Sequence, residues 1–270
     1  MTEFVAPLPC GTAAQSPQVY AAAGRYRLRV ARSAADRDAA CRLRFRVFNV
    51  ELGEGLESAY LTGLDQDHFD PVCEHLIVED LAHHRVVGTY RMQTGLSAQK
   101  HRGYYSEQEF VLAPYEPLRP GILELGRAAV DREHRTAEVL TLLWRGIAQY
   151  ACALGLRYLL GCSSMNSNDP AEGWRMYAQL DRFKVSPEFE TVPTRPFVCP
   201  WRINPEVDRS SDSLAMKIPR LLRAYLSLGA RIAATPAWDR EFRTIDFLTL
   251  LDLEALSPAA REHFLGPLQA

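Results

Sequence analysis

Tyr26, Leu28 and Val30 alternate with Arg25, Arg27 and Arg29, a two-residue period that predicts a half-buried strand starting near Arg25. Ser33 with Asp36 three positions on has the form of a capping box. The helix it opens runs to about Val50, with Ala39, Leu43, Val47 and Val50 on one core-facing stripe. After an irregular acidic loop, GLESAYLTGLDQDHFD, the runs HLIVED and HRVVGTYRMQTG read as strands joined by a short link around Ala82 to His84, and are therefore antiparallel. From Ile122 to Val130 a strand alternates again, Ile122, Glu124 and Gly126 against Leu123, Leu125 and Arg127. Leu140, Leu143, Trp144 and Ile147 then switch to helical spacing, predicting a helix from about Ala137 to Leu154 that Gly155 closes. Tyr158 to Cys162 is the next strand, and a strand, helix, strand crossover implies parallel pairing.

From about residue 165 to 217 the periodicity is lost among Asn, Pro and aromatic residues, with one short helical candidate, Ala171 to Leu180, so this stretch reads as an insertion. A helix returns over residues 219 to 229, and ARIAAT with TIDFLTLLDL, separated by the turn-rich PAWDREFR, predicts a closing hairpin. Residues 1 to 24 are small and polar without periodicity, which predicts a mobile N-terminal arm ahead of a single domain over 25 to 270.

Composition narrows the class. A chain of 270 residues with 47% hydrophobic residues can bury a sizeable core, and a formal charge of −2 argues against a general nucleic-acid binder. Six scattered cysteines without a CxxC pair or a His at ligand spacing read as reduced thiols, so no metal site is expected. No basic segment precedes an apolar run at the N-terminus, and no run approaches the roughly 20 apolar residues a bilayer requires. A cytoplasmic protein is expected, with peripheral contact at the inner face of the membrane left open.

The stretch from Ile122 to Trp144 carries the densest chemistry: a strand, a turn holding Arg132, His134 and Arg135, then a helix N-terminus. Free N–H groups and the helix dipole favour an anion there, and flanking cations add charge-assisted hydrogen bonds.

The order strand, helix, hairpin, strand, helix, strand, helix, hairpin resembles the GNAT superfamily of N-acyltransferases. That resemblance implies an α/β (α+β) fold, a three-layer sandwich with a central mixed, partly antiparallel sheet flanked by helices. Arg44-x-x-x-Phe48, Asp67-x-x-Asp70, Gly88-Thr-Tyr-Arg91 and Glu124-x-x-Arg127 look like the signature of acyl-homoserine lactone synthases, but Glu54 stands near the position where those enzymes carry a tryptophan. The runs LELGRAAV, LLWRGIAQY, YLLGCSS, LLRAYLSLGA and PAWDREFRTIDF resemble the N-acyl amino acid synthases, most closely the ornithine-lipid N-acyltransferases, over roughly residues 25 to 265.

The resemblance implies transfer of a (3-hydroxy)acyl chain to the α-amino group of an amino acid, with L-ornithine favoured and a lyso-ornithine lipid as product. Acetyl-CoA-using relatives cradle a pyrophosphate with a glycine-containing loop; here the matching run, Arg135 to Leu140, lacks both glycines and places Glu138 where the anion would sit. This points to acyl carrier protein, whose phosphopantetheine carries one phosphodiester, and to no tightly bound cofactor. Carrier proteins are acidic, so Lys100, Arg102, Arg132, His134 and Arg135 are the candidate docking and phosphopantetheine contacts, the alternative being an ordinary solvated face.

Direct transfer needs no enzyme nucleophile, which leaves Cys162 as core. The resemblance places Glu124 beside the reacting centre as base; the alternative is an ion pair with Arg127, although positions 124 and 127 face opposite ways unless a bulge intervenes. Tyr225 matches the superfamily tyrosine that protonates the departing thiolate, with a core residue as the alternative. Arg44, Phe48, Asp67, Asp70, Arg91 and Arg127 match the amine-substrate pocket, or alternatively a buried network holding the N-terminal helix. Trp174, Phe183, Phe189, Phe197 and Trp201 of the insertion are candidates for an acyl pocket or its lid. An autoinducer synthase and a non-catalytic lipid- or carrier-protein-binding module remain as alternatives.

Overall fold

A computed structural model describes residues 17–201 and 215–265 of the chain. Among these residues nine strands form one sheet in the order β1-β2-β3-β4-β5-β6-β9-β7, with β8 also pairing β9. They are β1 (Tyr20–Ala23), β2 (Tyr26–Val30), β3 (Glu74–Asp80), β4 (Arg85–Thr94), β5 (Ile122–Val130), β6 (Tyr158–Met165), β7 (Arg231–Ile232), β8 (Ala237–Asp239) and β9 (Thr244–Asp252). Neighbours are antiparallel except β5 and β6, which the helix between them forces parallel. Helices α1 (Ala34–Phe45), α2 (Ala59–Thr62), α3 (Gly95–Lys100), α4 (Ser106–Glu109), α5 (Ala137–Ala153), α6 (Pro170–Gln179), α7 (Arg220–Ser227) and α8 (Pro258–Leu265) flank it. The sandwich expected from the resemblance is the architecture observed. No helix among the described residues is long and apolar enough to cross a membrane.

The alternation read in the sequence is what divides the sheet. Leu28, Leu76, Val78, Tyr90, Met92, Leu123 and Leu125 point to one face and pack under α5 through Val139, Leu143 and Ile147. Gly146 lets α5 sit this close, because a Cβ there would lie 2.6 Å from Leu28 Cδ2. The opposite face carries α1, α3 and α4, and also receives Arg91, Glu124, Cys162 and Asp246. On the exposed side of β2, Arg27 and Arg29 both reach Glu79 of β3, at 2.9 and 2.8 Å.

Three expectations need correction. The last residues of the predicted arm, Tyr20–Ala23, form β1 against β2 across a turn at Gly24 (φ +54°), and Ala21 is fully buried because a small side chain fits beneath α5. The first sixteen residues, with Cys10, lie outside the described residues. The capping box at Ser33 is present, but α1 passes at Arg46 into a π-helical turn to Glu51, and this shift in period buries Asn49 and exposes Val50. The closing hairpin contains a further strand: β8 forms inside the predicted turn, and both β7 and β8 pair β9. Leu140, the first residue at helical spacing in α5, lies exposed on its first turn.

Candidate active site

A bulge in β5 decides which side chains can meet. Thr89 pairs Ala129 while Arg91 pairs Gly126, so one extra residue is accommodated on β5, and Arg127 adopts φ +50°, the left-handed region. Positive φ is costly for an arginine and persists only where its surroundings hold it. Here they do: Arg127 Nη2 donates to Asp67 at 3.2 Å and its guanidinium lies over the rings of Tyr105 and Phe242. The bulge thus turns Glu124 and Arg127 to the same face, and they form no ion pair with one another.

Glu124 is buried, and its two carboxylate oxygens accept hydrogen bonds from the backbone N–H of Tyr105 at 2.9 Å and of Ser106 at 2.8 Å, where α4 begins. Burial pushes its carboxyl above the usual range, while these amides and Arg91 pull it back. A proton acceptor is more effective when its affinity for the proton rises, so this environment suits a base. Gln93, its register partner on β4, is also buried, with both amide atoms unpartnered.

The charged set predicted for the amine pocket divides in two. Arg44 is fully buried and donates to Asp65 Oδ1 at 2.8 Å, to the Asp65 carbonyl at 2.5 Å and to both oxygens of Asp70 at 2.6 and 3.0 Å. Arg44 and Asp70 therefore hold α1 to the acidic loop and offer nothing to a substrate, which corrects the reading of both as binding residues. Asp67 joins Arg91, at 2.7 Å, to Arg127. Burial opposes its ionisation, but these two guanidinium groups hold its carboxyl well below the usual range. Arg127 Nε, buried without a hydrogen-bond partner, is the spare donor of the set. Phe48 lies in the π-helical turn and packs against Leu43, Val47 and Ala129.

Beyond Glu124 the sheet opens. The β5–β6 ladder runs from Ile122↔Tyr158 to Glu124↔Leu160 and stops, although both strands continue. Gly161 sits at the parting, where a Cβ would fall 2.2 Å from the Leu125 carbonyl oxygen. The cavity there is lined by Leu125, Gly161, Cys162, Tyr225 and Leu251, among others. Tyr225 reaches it from the α5 side of the sheet, its hydroxyl 2.5 Å from that of Tyr90, and burial pushes its phenol up to about 12. Such a phenol keeps its proton at neutral pH and can donate it. Burial likewise holds the half-buried Cys162 thiol protonated, so the structure gives it no nucleophilic character.

The five cations predicted as one docking group are not together. Arg132 and Arg135 follow the C-terminal end of β5, whereas Lys100 and Arg102 follow Thr94, which pairs Leu123 at the other end. Seven strand positions at about 3.3 Å each set the two ends of β5 from which these pairs depart more than 20 Å apart. His134 is buried, contacting Asp131 at 3.1 Å and Asp80 at 3.3 Å, so it braces the turn and cannot dock. Arg132 is exposed, and Arg135 is exposed with a bidentate pair to Glu51. At the start of α5 the Thr136 hydroxyl already accepts from Val139 N–H. In the insertion, Trp174 and Phe183 pack on one core cluster and Phe189 and Phe197 on another, while Trp201 stays exposed against Trp174.

Sequence reasoning missed a second acidic group. Glu109 from the end of α4, Asp239 from β8 and Asp246 from β9 are all buried, each with a carboxylate oxygen within 4.8 Å of the others, an arrangement that could hold a cation. Burial pushes Asp246 up to about 6, and burial with Asp246 and Asp239 raises Glu109 as well. Glu54, facing Asp246, is pushed up to about 7, first by burial. Asp246 had a signal: it is a charge within TIDFLTLLDL, a run otherwise apolar enough for a core strand.

Residues 43–145 match the family model described as an acetyltransferase (GNAT) domain. The chain is 34% identical over 244 residues to the L-ornithine N(alpha)-acyltransferase of Rhizobium meliloti, covering 85% of this chain and 80% of that one. It is 33% identical over 248 residues to the L-ornithine N(alpha)-acyltransferase of Rhodobacter capsulatus, covering 88% and 94%. Among solved structures, FeeM, an N-acyl amino acid synthase from uncultured soil microbes, matches with a TM-score of 0.48 at 14% identity, over 86% of this chain and 94% of that one.

Proposed function

Because the chain belongs to the L-ornithine N(α)-acyltransferase family, we propose that it transfers a 3-hydroxyacyl chain from acyl carrier protein to the α-amino group of L-ornithine, giving a lyso-ornithine lipid. The observation that carries this reading is the joint placement of Glu124 and Arg127 on one face of the sheet, at the point where β5 and β6 part, with Tyr225 at the same opening from the other face. An amine and a thioester can thus approach one another through the sheet from opposite sides.

The neutral amine nitrogen attacks the thioester carbon: a C–N bond forms, the C–S bond breaks, one proton leaves nitrogen for Glu124, directly or through water, and one reaches sulfur from Tyr225. Backbone N–H groups on the parted edge of β5 are available to the carbonyl oxygen as negative charge develops on it. Arg127 takes the substrate carboxylate on its guanidinium. Arg91 and Asp67 fix the Arg127 head, and Arg44 with Asp65 and Asp70 fixes the loop that carries Asp67.

The helix end supports this choice of donor. A capped first turn without glycine, with Glu138 exposed beside it, suits a single phosphodiester better than a pyrophosphate. Arg132 and Arg135 are then the basic contacts for an acidic carrier protein, and Lys100 and Arg102 drop out of that role. Both proposed substrates are water-soluble and the product is amphiphilic, which fits a cytoplasmic enzyme that meets the membrane only at its inner face.

Expression in a bacterium lacking aminolipids, followed by lipid mass spectrometry, tests the reaction; finding no N-acyl amino acid across several acyl donors would refute it. Comparing acyl carrier protein with coenzyme A as carrier of the same acyl chain tests the donor, and equal kcat/KM for the two would remove it.

A further inference from the structure

Among the described residues, no cation pairs with the four carboxyl groups in and around the second acidic group. Glu109 Oε2 and Asp246 Oδ1 are buried with no N–H or hydroxyl donor on them, the two carboxyls have only each other to share a proton with, and the ion pairs among the described residues do not reach Glu109, Asp239 or Asp246. The nearby Arg127 is turned away, toward Asp65 and Asp67. Uncompensated buried charge is costly, and folded chains keep it where a ligand supplies the counter-charge. A second observation on the same face also points to a missing ligand: Gln93, beside Glu124, leaves both atoms of a fully buried amide unsatisfied.

Position and lining say which cation fits. Ser106 N–H binds Glu124, and Glu109 lies three residues along the same helix, about 5 Å away at 1.5 Å per residue. Three methylenes, the chain between the α-carbon and the distal nitrogen of a 2,5-diamino acid, bridge roughly the same distance. The walls include the Tyr105 phenol ring, the Cys162 thiol and the turn whose Phe242 N–H binds Asp239. Aromatic and thiol surfaces suit an alkylammonium, which gains from π-faces, whereas a hard divalent ion gains nothing from them.

We propose that Glu109, Asp239 and Asp246 form the specificity pocket that holds the side-chain ammonium of a diamino-acid acceptor, with Glu54 at its mouth. This rests on the amino-acid-acylating reading above. An acceptor whose α-carboxylate sits on Arg127 and whose distal ammonium enters this pocket has its α-amine directed to Glu124. A neutral side chain of equal length leaves the carboxylates unpaired, so the pocket rejects it by charge rather than by size.

The experiment is a comparison of L-ornithine with L-norvaline, the same chain without the distal amine, in steady-state kinetics and in calorimetric titration of the free enzyme. In the wild type, ornithine is preferred. In Asp246→Asn and Glu109→Gln, the KM and Kd for ornithine rise by roughly thirtyfold or more while those for norvaline stay put, so the preference collapses. Circular dichroism confirms that each variant is folded, and having two variants guards against failure of either one. An unchanged preference in both variants, or a parallel loss of both ligands, overturns the proposal. Activity abolished by EDTA and restored by magnesium or calcium chloride overturns it too, since the pocket would then hold a metal ion. Calorimetry keeps the two readings apart: failure of the wild type to acylate any amino acid sinks the proposed reaction, whereas acylation of ornithine with unaltered preference in the variants sinks the pocket alone.

Discussion

Replacing Asp246 with Asn should stabilise the protein, and by an amount that grows with pH. Asp246 is 3% exposed, and its carboxyl titrates at about 6 in place of the ordinary 3.8. That difference corresponds to about 3 kcal/mol of destabilisation once the folded protein carries the charge. The sign follows from proton counts. Between about pH 4 and pH 6 the unfolded chain has lost a proton that the folded chain keeps, so stability falls across this window and levels off above it. Asn keeps the acceptor for the Thr244 hydroxyl, 3.2 Å from Asp246 Oδ2, and removes the ionisation that burial and Asp239 oppose. Thermal unfolding of wild type and variant without substrate measures the difference. At pH 8 the variant should melt roughly 6 to 12 °C higher, at about 2–4 °C per kcal/mol for a chain of this size, and at pH 5 about half as much. Saturating ornithine should narrow the gap, because the bound ammonium relieves the wild type and gives the variant less. A variant equally stable or less stable at pH 8, or a gap independent of pH, would refute the idea that these carboxylates are uncompensated.

Glu124→Gln should lower kcat by roughly 10² to 10⁴ at unchanged KM for the acyl donor, while its amide NH₂ facing a backbone N–H costs about 1–3 kcal/mol in thermal unfolding; a loss of stability alone, with kcat intact, would leave Glu124 as an anchor of α4 and no more. Tyr225→Phe and Tyr90→Phe each leave one buried hydroxyl without its partner and should cost similar stability, but the first should reduce kcat at least tenfold more than the second; equal kcat in the two variants would remove Tyr225 as the proton donor. Arg44→Met strands Asp65 and Asp70 and should destabilise by about 3–5 kcal/mol in denaturant unfolding, and a stable variant with a raised KM for ornithine would return Arg44 to the substrate pocket. Arg132→Glu with Arg135→Glu should raise KM for acyl carrier protein steeply and Lys100→Glu with Arg102→Glu should leave it alone; the reverse result would place the donor at the other end of the sheet.

Strand and helix periods were legible because one face of each element is buried: β2 through β6, α1 and α5 fall where alternation and helical spacing put them. What escaped was whatever depends on a single extra residue. Nothing in LELGRAAV announces that Arg127 takes a positive φ, yet that residue turns Glu124 and Arg127 to one face. The π-helical turn after α1 likewise adds a residue to a helical period and exchanges Val50 for Asn49. Charge was read by type and missed by partner. A histidine and two arginines in one turn looked alike, but Asp80 and Asp131 take His134 into the interior and Glu51 claims Arg135. Glu109 and Asp239 lie 130 positions apart and meet only because β8 and β9 return beside α4, so no spacing along the chain could have joined them.

The two charged groups on this face differ in one respect that decides their roles. Arg44, Arg91 and Arg127 are matched by Asp65, Asp67 and Asp70, and burial is offset within the group, so a mutation there removes a partner and leaves a charge behind. Glu109, Asp239 and Asp246 have no such match, so a mutation there removes a liability. A folded chain tolerates the second arrangement when it serves binding, because sites that are strained when empty gain most from their ligand. The neutral group therefore positions Arg127 and keeps it rigid, and the uncompensated group supplies the attraction for a second positive charge. An acceptor that satisfies both must carry a carboxylate and a distal cation separated by a short aliphatic chain. On the proposed reading, Arg127 and Asp246 restrict the acceptor from two ends, and Glu124 meets the amine that such an acceptor presents.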